Sequence, residues 1–219
     1  MLGVIFDMDG VLVDSYRAHF ESWRRLGQLH GLEMTEGQFA ATFGRTSRDI
    51  IEHLWPGAAS ADEAIAWDRD KEAFYREIIS ADFPEMPGAG ELIVALAAAG
   101  FAMAIGSSGP PENVAAVLAK LSGAKHITAT VTGLEVTRGK PDPEVFLKAA
   151  GKLGLAASDC AVIEDAPAGL EAARRAGMTA IAITGTAARE ALAPRADRVV
   201  DRLSELTPAG IAALIQSRA

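Results

Sequence analysis

The sequence is poor in several residue types from which functional sites are commonly built. It has one cysteine, Cys160, so no internal disulfide can form and a reducing compartment is the simpler setting. Four histidines leave little room for His-rich chemistry. Basic residues are outnumbered, 21 Lys+Arg against 29 Asp+Glu, for a net charge of −8. A nonspecific nucleic-acid binder needs a basic face, so the acidic balance argues against one. It does not exclude a small anion, which a few local cations and a metal can hold. Long apolar runs are also missing. Residues 92–105 are apolar apart from Gly100 but fall short of the roughly 18 residues that a membrane span requires. The opening residues Met1-Leu2-Gly3-Val4-Ile5-Phe6 run straight into Asp7. They offer neither the basic segment nor the small-residue cleavage site of a secretory leader. The expectation is a soluble, cytoplasmic protein with no membrane partner.

What is present suits a folded enzyme-sized chain. Of the 219 residues, 49% are hydrophobic and 23% charged. A chain of this size can bury roughly 70% of its unfolded surface, which excludes a disordered or collagen-like protein. Apolar runs at Leu2–Phe6, Phe101–Ile105, Ile127–Val131, Cys160–Ile163, Met178–Ile183 and Arg198–Val200 read as strands. Between and after them, residues 88–99, 111–121, 143–153, 167–176, 187–192 and 208–216 read as helices. Strands alternating with helices of this length indicate βαβ units and a mostly parallel sheet. Residues 15–82 break that pattern. Amphipathic helices at 16–29 and 64–79 flank a less apolar stretch, 31–51, that reads as polar turns, and no convincing strand occurs. The expected fold is α/β, a Rossmann-like, mostly parallel sheet in a three-layer core of residues 1–14 and 83–219. A small helical cap, residues 15–82, is inserted into it.

The sharpest local feature is Phe6-Asp7-Met8-Asp9-Gly10-Val11-Leu12-Val13-Asp14-Ser15. Two carboxylates leave a buried strand two residues apart, a spacing that puts i and i+2 on one side. In open α/β sheets that end of the strand is where ligands bind. Close carboxylates repel, so one retains a proton or both hold a cation, and a hard cation such as Mg²⁺ takes oxygen ligands, waters and phosphate. A bare Asp-x-Asp is more often an ordinary polar loop. Here the motif is followed by others in order: Ile105-Gly106-Ser107-Ser108, Arg138-Gly139-Lys140-Pro141-Asp142-Pro143, and Val162-Ile163-Glu164-Asp165-Ala166-Pro167.

Together these four motifs resemble those of the haloacid-dehalogenase-like hydrolases, a family that mostly transfers phosphoryl groups through an aspartyl-phosphate. The helical insertion after the first motif is similar to that of the branch holding β-phosphoglucomutase, phosphoglycolate phosphatase and sugar-phosphate phosphatases. The resemblance implies a phosphoric monoester hydrolase that uses Mg²⁺ and acts on a small phosphate ester. Asp7 is then the nucleophile and Asp9 the general acid and base, with its backbone carbonyl on the metal. Asp165 is a metal ligand, and Glu164 holds a metal-bound water or an outer contact. Ser107 and the Ser108 amide contact phosphoryl oxygens, and Lys140 neutralises Asp7 and the phosphate. In the cap, His19 with Trp23 one turn on, Lys71, and Arg45 or Arg48 from Gly44-Arg45-Thr46-Ser47-Arg48 become candidates for substrate binding.

The second motif is followed by Gly109-Pro110-Pro111, where the mutase carries a Lys-Asn pair that grips a phosphate. That departure favours a phosphatase, with a β-phosphoglucomutase-type phosphomutase as the alternative. A dehalogenase proper lacks the second catalytic Asp, which Asp9 supplies here. Cys160, among apolar neighbours, reads as core. The sequence leaves both a monomer and a small homo-oligomer open.

Overall fold

The computed structural model describes residues 1–42 and 46–218. Arg45 lies outside them. The chain forms two compact units, one of Met1–Asp14 with Pro84–Ala219 and one of Ser15–Phe83.

The first unit is built on a six-stranded sheet. Its strands are β1 (Gly3–Phe6), β2 (Ala102–Gly106), β3 (Ala129–Val131), β4 (Cys160–Glu164), β5 (Thr179–Ile183) and β6 (Arg198–Val200). They lie in the order β3-β2-β1-β4-β5-β6, and every pairing is parallel. Parallel strands are covered on both faces, which explains why these segments are continuous apolar runs rather than alternating ones. All four residues of β1 and all five of β4 and β5 are buried. Side chains still alternate between faces. Ile5, Ala104, Val162, Ala180 and Ala182 share one cluster with Phe146 and Ala149 of the helix Glu144–Leu153 and Leu170 and Ala173 of the helix Pro167–Arg175. Cys160 belongs to that cluster and is fully buried. The helix that closes the chain, residues 208–216, packs against β4.

The strand order sets the position of the site. The chain steps outward from β1 through β2 to β3, then returns to the other side of β1 for β4, β5 and β6. The order reverses between β1 and β4, and the crevice at the carboxyl ends of such strands is where doubly wound sheets bind ligands. Register places Phe6 level with Ile163 and Ile105, so the residues just beyond these strands emerge at a common edge.

The second unit is helical: α1 (Tyr16–Leu29), α2 (Glu36–Thr42), α3 (Ser47–Leu54) and α4 (Ala61–Ala81). Its core is aromatic, with Phe20, Trp23, Phe39, Trp55 and Trp67 around Leu26, Ile50 and Ile51. The Trp55 indole N–H donates to the Glu33 carbonyl at 3.0 Å, satisfying the polar end of a buried ring. At the start of α4, Ser60 and Glu63 form a capping box, which satisfies two amide donors that the first helical turn leaves unpaired.

The less apolar stretch 31–51, expected to carry polar turns, also contributes two short helices, the second of which runs on to Leu54. In α3 the Thr46 hydroxyl accepts from the Asp49 amide at 3.2 Å and Ile50 and Ile51 are buried. In α2 a single large apolar residue, Phe39, anchors the turn. The apolar face of α3, with Ile50, Ile51 and Leu54, covers little more than one turn, and α2 has a single large anchor, so burial against the rest of the unit rather than helix length holds them in helical form. No helix among the described residues is long and apolar enough to cross a membrane.

Candidate active site

The ends of β1 and β4 and the loop after β3 deliver three acidic side chains and one basic side chain to one place. Asp7 follows β1, and its amide donates to the Ile163 carbonyl of β4 at 2.9 Å, which ties the first acid to the strand carrying the next two. Beyond it the chain turns sharply. The Met8 carbonyl accepts the amides of Val11, Leu12 and Val13 at 3.3, 2.9 and 3.2 Å, while the Met8 side chain is fully buried. Gly10 sits at φ +77°, and a Cβ there would overlap the Asp165 carboxylate. A left-handed backbone and that close approach both call for glycine.

Glu164, the last residue of β4, and Asp165, the next, are both buried. Carboxylate oxygens of Asp7, Glu164 and Asp165 all lie within 4.8 Å of one another. One cation faces them. The Lys140 ammonium donates to Asp7 Oδ1 at 2.5 Å and to Glu164 Oε1 at 2.7 Å, and stands 4.9 Å from the centre of the Phe146 ring. Glu164 is fixed from its other oxygen by the Ala166 amide at 2.6 Å. It also lies so close to Gly169 that a Cβ there would strike its carboxylate.

If all four groups were ionised the cluster would carry one positive and three negative charges. Burial and these charges move the titrations apart. Asp7 is pushed up to about 7, first by burial and then by the neighbouring Glu164 and Asp9 carboxylates, against the pull of Lys140. Asp165 is raised well above the ordinary carboxylate range by burial, then by Glu164 and Asp7. For Lys140, burial disfavours the charged form, but Asp7 and Glu164 outweigh it and hold the ammonium protonated above its usual range. Three hard oxygen donors with an uncompensated double negative charge match a divalent cation of the Mg²⁺ or Ca²⁺ type rather than a soft metal. Asp7, Glu164 and Asp165 are the side chains that can hold it.

The remaining expected residues fall into three groups. Asp9 is half-buried and near enough to raise Asp7, but its side chain stands outside the three-carboxylate cluster. The extended geometry that would align it with Asp7 ends at Phe6, where β1 stops. Ser107, just past β2, is buried, and its hydroxyl oxygen accepts from the Gly109 amide at 3.0 Å, which leaves the O–H proton to donate. Ser107, the exposed Ser108 and Lys140 line one cavity of about 260 Å³ together with Gly133, Thr137 and Gly139.

In the helical unit, the structure joins His19 of α1 to Lys71 of α4. The buried Lys71 ammonium donates to His19 Nδ1 at 2.9 Å and to Glu72 at 2.7 Å. It lies 5.7 Å from the Trp23 ring centre and 5.8 Å from that of Tyr75, and His19 stacks on Tyr75 at 4.2 Å. Arg48 is exposed near the start of α3. Sequence reasoning missed one side chain at the acidic cluster. Thr186, in the loop after β5, hydrogen-bonds to the Asp165 carboxylate. Its only advance signal is its place just beyond a core strand.

The family model for haloacid dehalogenase-like hydrolases matches residues 1–177. Hexitol phosphatase A of Escherichia coli (strain K12) is 36% identical over 207 residues, 94% of this chain and 93% of that protein. β-Phosphoglucomutase of Bacillus subtilis (strain 168) is 32% identical over 191 residues, 84% and 83% of the two chains. Among solved structures, a family IA, variant 3 hydrolase of Entamoeba histolytica superposes with a TM-score of 0.87 at 27% identity, covering 99% of this chain and all of that one.

Two predictions follow from the charge imbalance. The raised carboxylates of Asp7 and Asp165 bind protons in the folded state that they release on unfolding. Their contribution to stability is therefore present below the ordinary carboxylate range and lost as pH rises through about 7 for Asp7. Glu144, held down to about 2 by Lys148 and Thr137, works in the opposite sense, losing its contribution only as pH falls below the ordinary Glu range. In metal-free buffer, urea midpoints should thus fall between pH 5.5 and 8, and Asp7→Asn should flatten the fall. An unchanged slope in the variant would contradict this electrostatic account. Second, Lys140→Met strips the carboxylates of their only near cation among the described residues. The expected loss at pH 8 is about 3–5 kcal/mol, smaller at pH 5.5 where protons can replace it, measured by the same unfolding curves.

Proposed function

The chain belongs to the haloacid dehalogenase-like hydrolases, and from that premise we propose that it is a Mg²⁺-dependent phosphatase of small phosphate monoesters, such as sugar phosphates or phosphoglycolate-like compounds. The observation that carries this reading is the Asp7 carboxylate, buried, in contact with Lys140, and one of three carboxylates gathered at the point where the strand order reverses.

In the first step one Asp7 oxygen attacks phosphorus, the bond from phosphorus to the ester oxygen breaks, and the leaving alkoxide takes a proton from Asp9. In the second, Asp9 accepts a proton from water, the water oxygen attacks the aspartyl-phosphate, and the bond from phosphorus to Asp7 breaks, restoring the carboxylate and releasing phosphate. Attack requires ionised Asp7. Lys140, fixed between Asp7 and Glu164, favours that form and offsets charge on the transferring group. The Ser107 hydroxyl and the Ser108 amide donate to phosphoryl oxygens. Bound Mg²⁺ would supply the remaining positive charge, held by Asp7, Asp165, the Asp9 carbonyl and, directly or through water, Glu164. We assign recognition of the ester's organic part to His19, Lys71 and Arg48, and extend the same expectation to Arg45.

A phosphatase is favoured over a phosphomutase by Gly109-Pro110-Pro111. The two prolines start the helix over Pro111–Leu118 and place no cation in the stretch after Ser108, which weakens any site meant to grip two phosphates. The test is a screen of metabolite phosphate esters with Mg²⁺, scored by kcat/KM. Steady phosphate release from several small esters is expected, and Asp7→Asn should lower it about 10⁴-fold or more. Interconversion of glucose 1- and 6-phosphates dependent on a bisphosphate would replace this reading with the mutase. A wild type as inert as Asp7→Asn across the panel would end both.

A further inference from the structure

We propose that Thr186 is a positioning residue for the metal site, holding the Asp165 carboxylate in the orientation that turns it toward Asp7 and Glu164. The proposal rests on the cation reading above and goes beyond the four motifs, since Thr186 belongs to none of them.

Asp165 has a specific problem. It is buried, it follows directly on Glu164, and its oxygens lie within 4.8 Å of those of two other carboxylates. Without a cation the carboxylates repel one another, and a rotamer that swings Asp165 away from the cluster relieves the repulsion. Lys140 does not prevent this, because its hydrogen bonds go to Asp7 and Glu164. The donor that reaches Asp165 is the Thr186 hydroxyl. A hydrogen bond to a carboxylate occupies one lone-pair direction and fixes the plane of the group, leaving other lone pairs for a ligand.

The surroundings show that the contact is built rather than incidental. A Cβ placed on Gly10 would meet the Asp165 carboxylate, and Thr186 Oγ1 at 3.0 Å. The loops after β1, β4 and β5 therefore converge on one point, and the absence of a side chain at Gly10 is what admits the other two. The loop that presents Thr186 is anchored at its base. The Thr184 amide donates to the Val200 carbonyl at 3.0 Å, and the Thr184 hydroxyl donates to Asp201 at 2.8 Å. On the far side of Thr186, Arg189 reaches the same Asp201 oxygen at 2.7 Å and the Val199 carbonyl at 3.3 Å. Residues 184 and 189 thus fasten both ends of the segment to β6 and the residue after it. Thr186 itself is exposed, so its hydroxyl is not needed to fill the core.

The test compares Thr186→Val, which keeps the shape and removes the donor, with Thr186→Ser, which keeps the donor and removes the methyl. The readout is the Mg²⁺ concentration that gives half of the cation-induced rise in thermal midpoint, followed by kcat and KM for an accepted ester at saturating Mg²⁺. Thr186→Val should need about 10-fold more Mg²⁺, with KM for the ester unchanged once the cation is saturating. Thr186→Ser should behave as wild type. Equal Mg²⁺ requirements for wild type and Thr186→Val would overturn the inference while leaving the phosphatase reading intact. So would an equal defect in the Val and Ser variants, because Ser keeps the donor and the loss could then not be traced to the hydrogen bond. A wild-type midpoint indifferent to Mg²⁺ would overturn both the cation reading and this inference.

Discussion

The site depends on an electrostatic constraint: one buried ammonium faces three buried carboxylates. Lys140 can contact two of them, and it does, at 2.5 Å to Asp7 and 2.7 Å to Glu164. Its single positive charge offsets one of the three negative ones, and the other two are left to protons or to a cation from solution. Isolated ionised groups are costly to bury, so the cluster cannot be neutral at alkaline pH on its own residues. That deficit is what a bound divalent ion would offset. The chain's overall acidity is thus no obstacle to an anionic ligand, because the charge that counts is local and is completed by the ion.

The fold meets this constraint through strand order. Placing β1 between β2 and β4 brings Ser107, Asp7 and the Glu164-Asp165 pair to neighbouring strand ends, though they lie far apart in sequence. The central strands β1 and β4 are buried throughout and apolar up to Glu164, so no polar group competes for position along them, and their acidic residues appear only where the strands stop. Backbone bonds then tighten the arrangement. The Asp7 amide is held by β4, Glu164 is pinned by the Ala166 amide, and Gly10 and Gly169 make room for carboxylates where a side chain would collide. Much of the local precision comes from residues that are small, rather than from residues that are charged.

Legibility in the sequence follows the same division. The strands were readable because burial on both faces makes them continuous apolar runs, and α1, at 16–29, because its amphipathic stripe is complete. The acids after β1 and β4 were readable because they interrupt those runs abruptly. By contrast, α2 has one large apolar anchor, and α3, though Ile50, Ile51 and Leu54 share a face, is only eight residues long, too short for the period to repeat. The pairing of His19 with Lys71 joins residues 52 positions apart, and the hold of Lys140 on Glu164 spans 24. Each residue type was a candidate, but the partner is a property of the packing. Thr186 gave the least warning, since a threonine beside a glycine after a strand is also what an ordinary turn contains.

Asp7 is held by a lysine as well as being placed to meet a metal. A nucleophilic carboxylate must be ionised, yet burial beside Glu164 and Asp9 pushes Asp7 up to about 7 even with Lys140 pulling it down, so without the lysine the protonated form would be favoured further. A bound ion favours the anion only while it is present, whereas Lys140 is covalently fixed and kept charged by the carboxylates it serves. The two cations therefore have separate tasks. Lys140 biases Asp7 toward its ionised form and anchors Glu164, and a divalent ion would offset the charge that remains. Removing either leaves a different residue protonated, so loss of Lys140 and loss of metal should not be equivalent defects: the first weakens the nucleophile at every metal concentration, the second can be reversed by adding the ion.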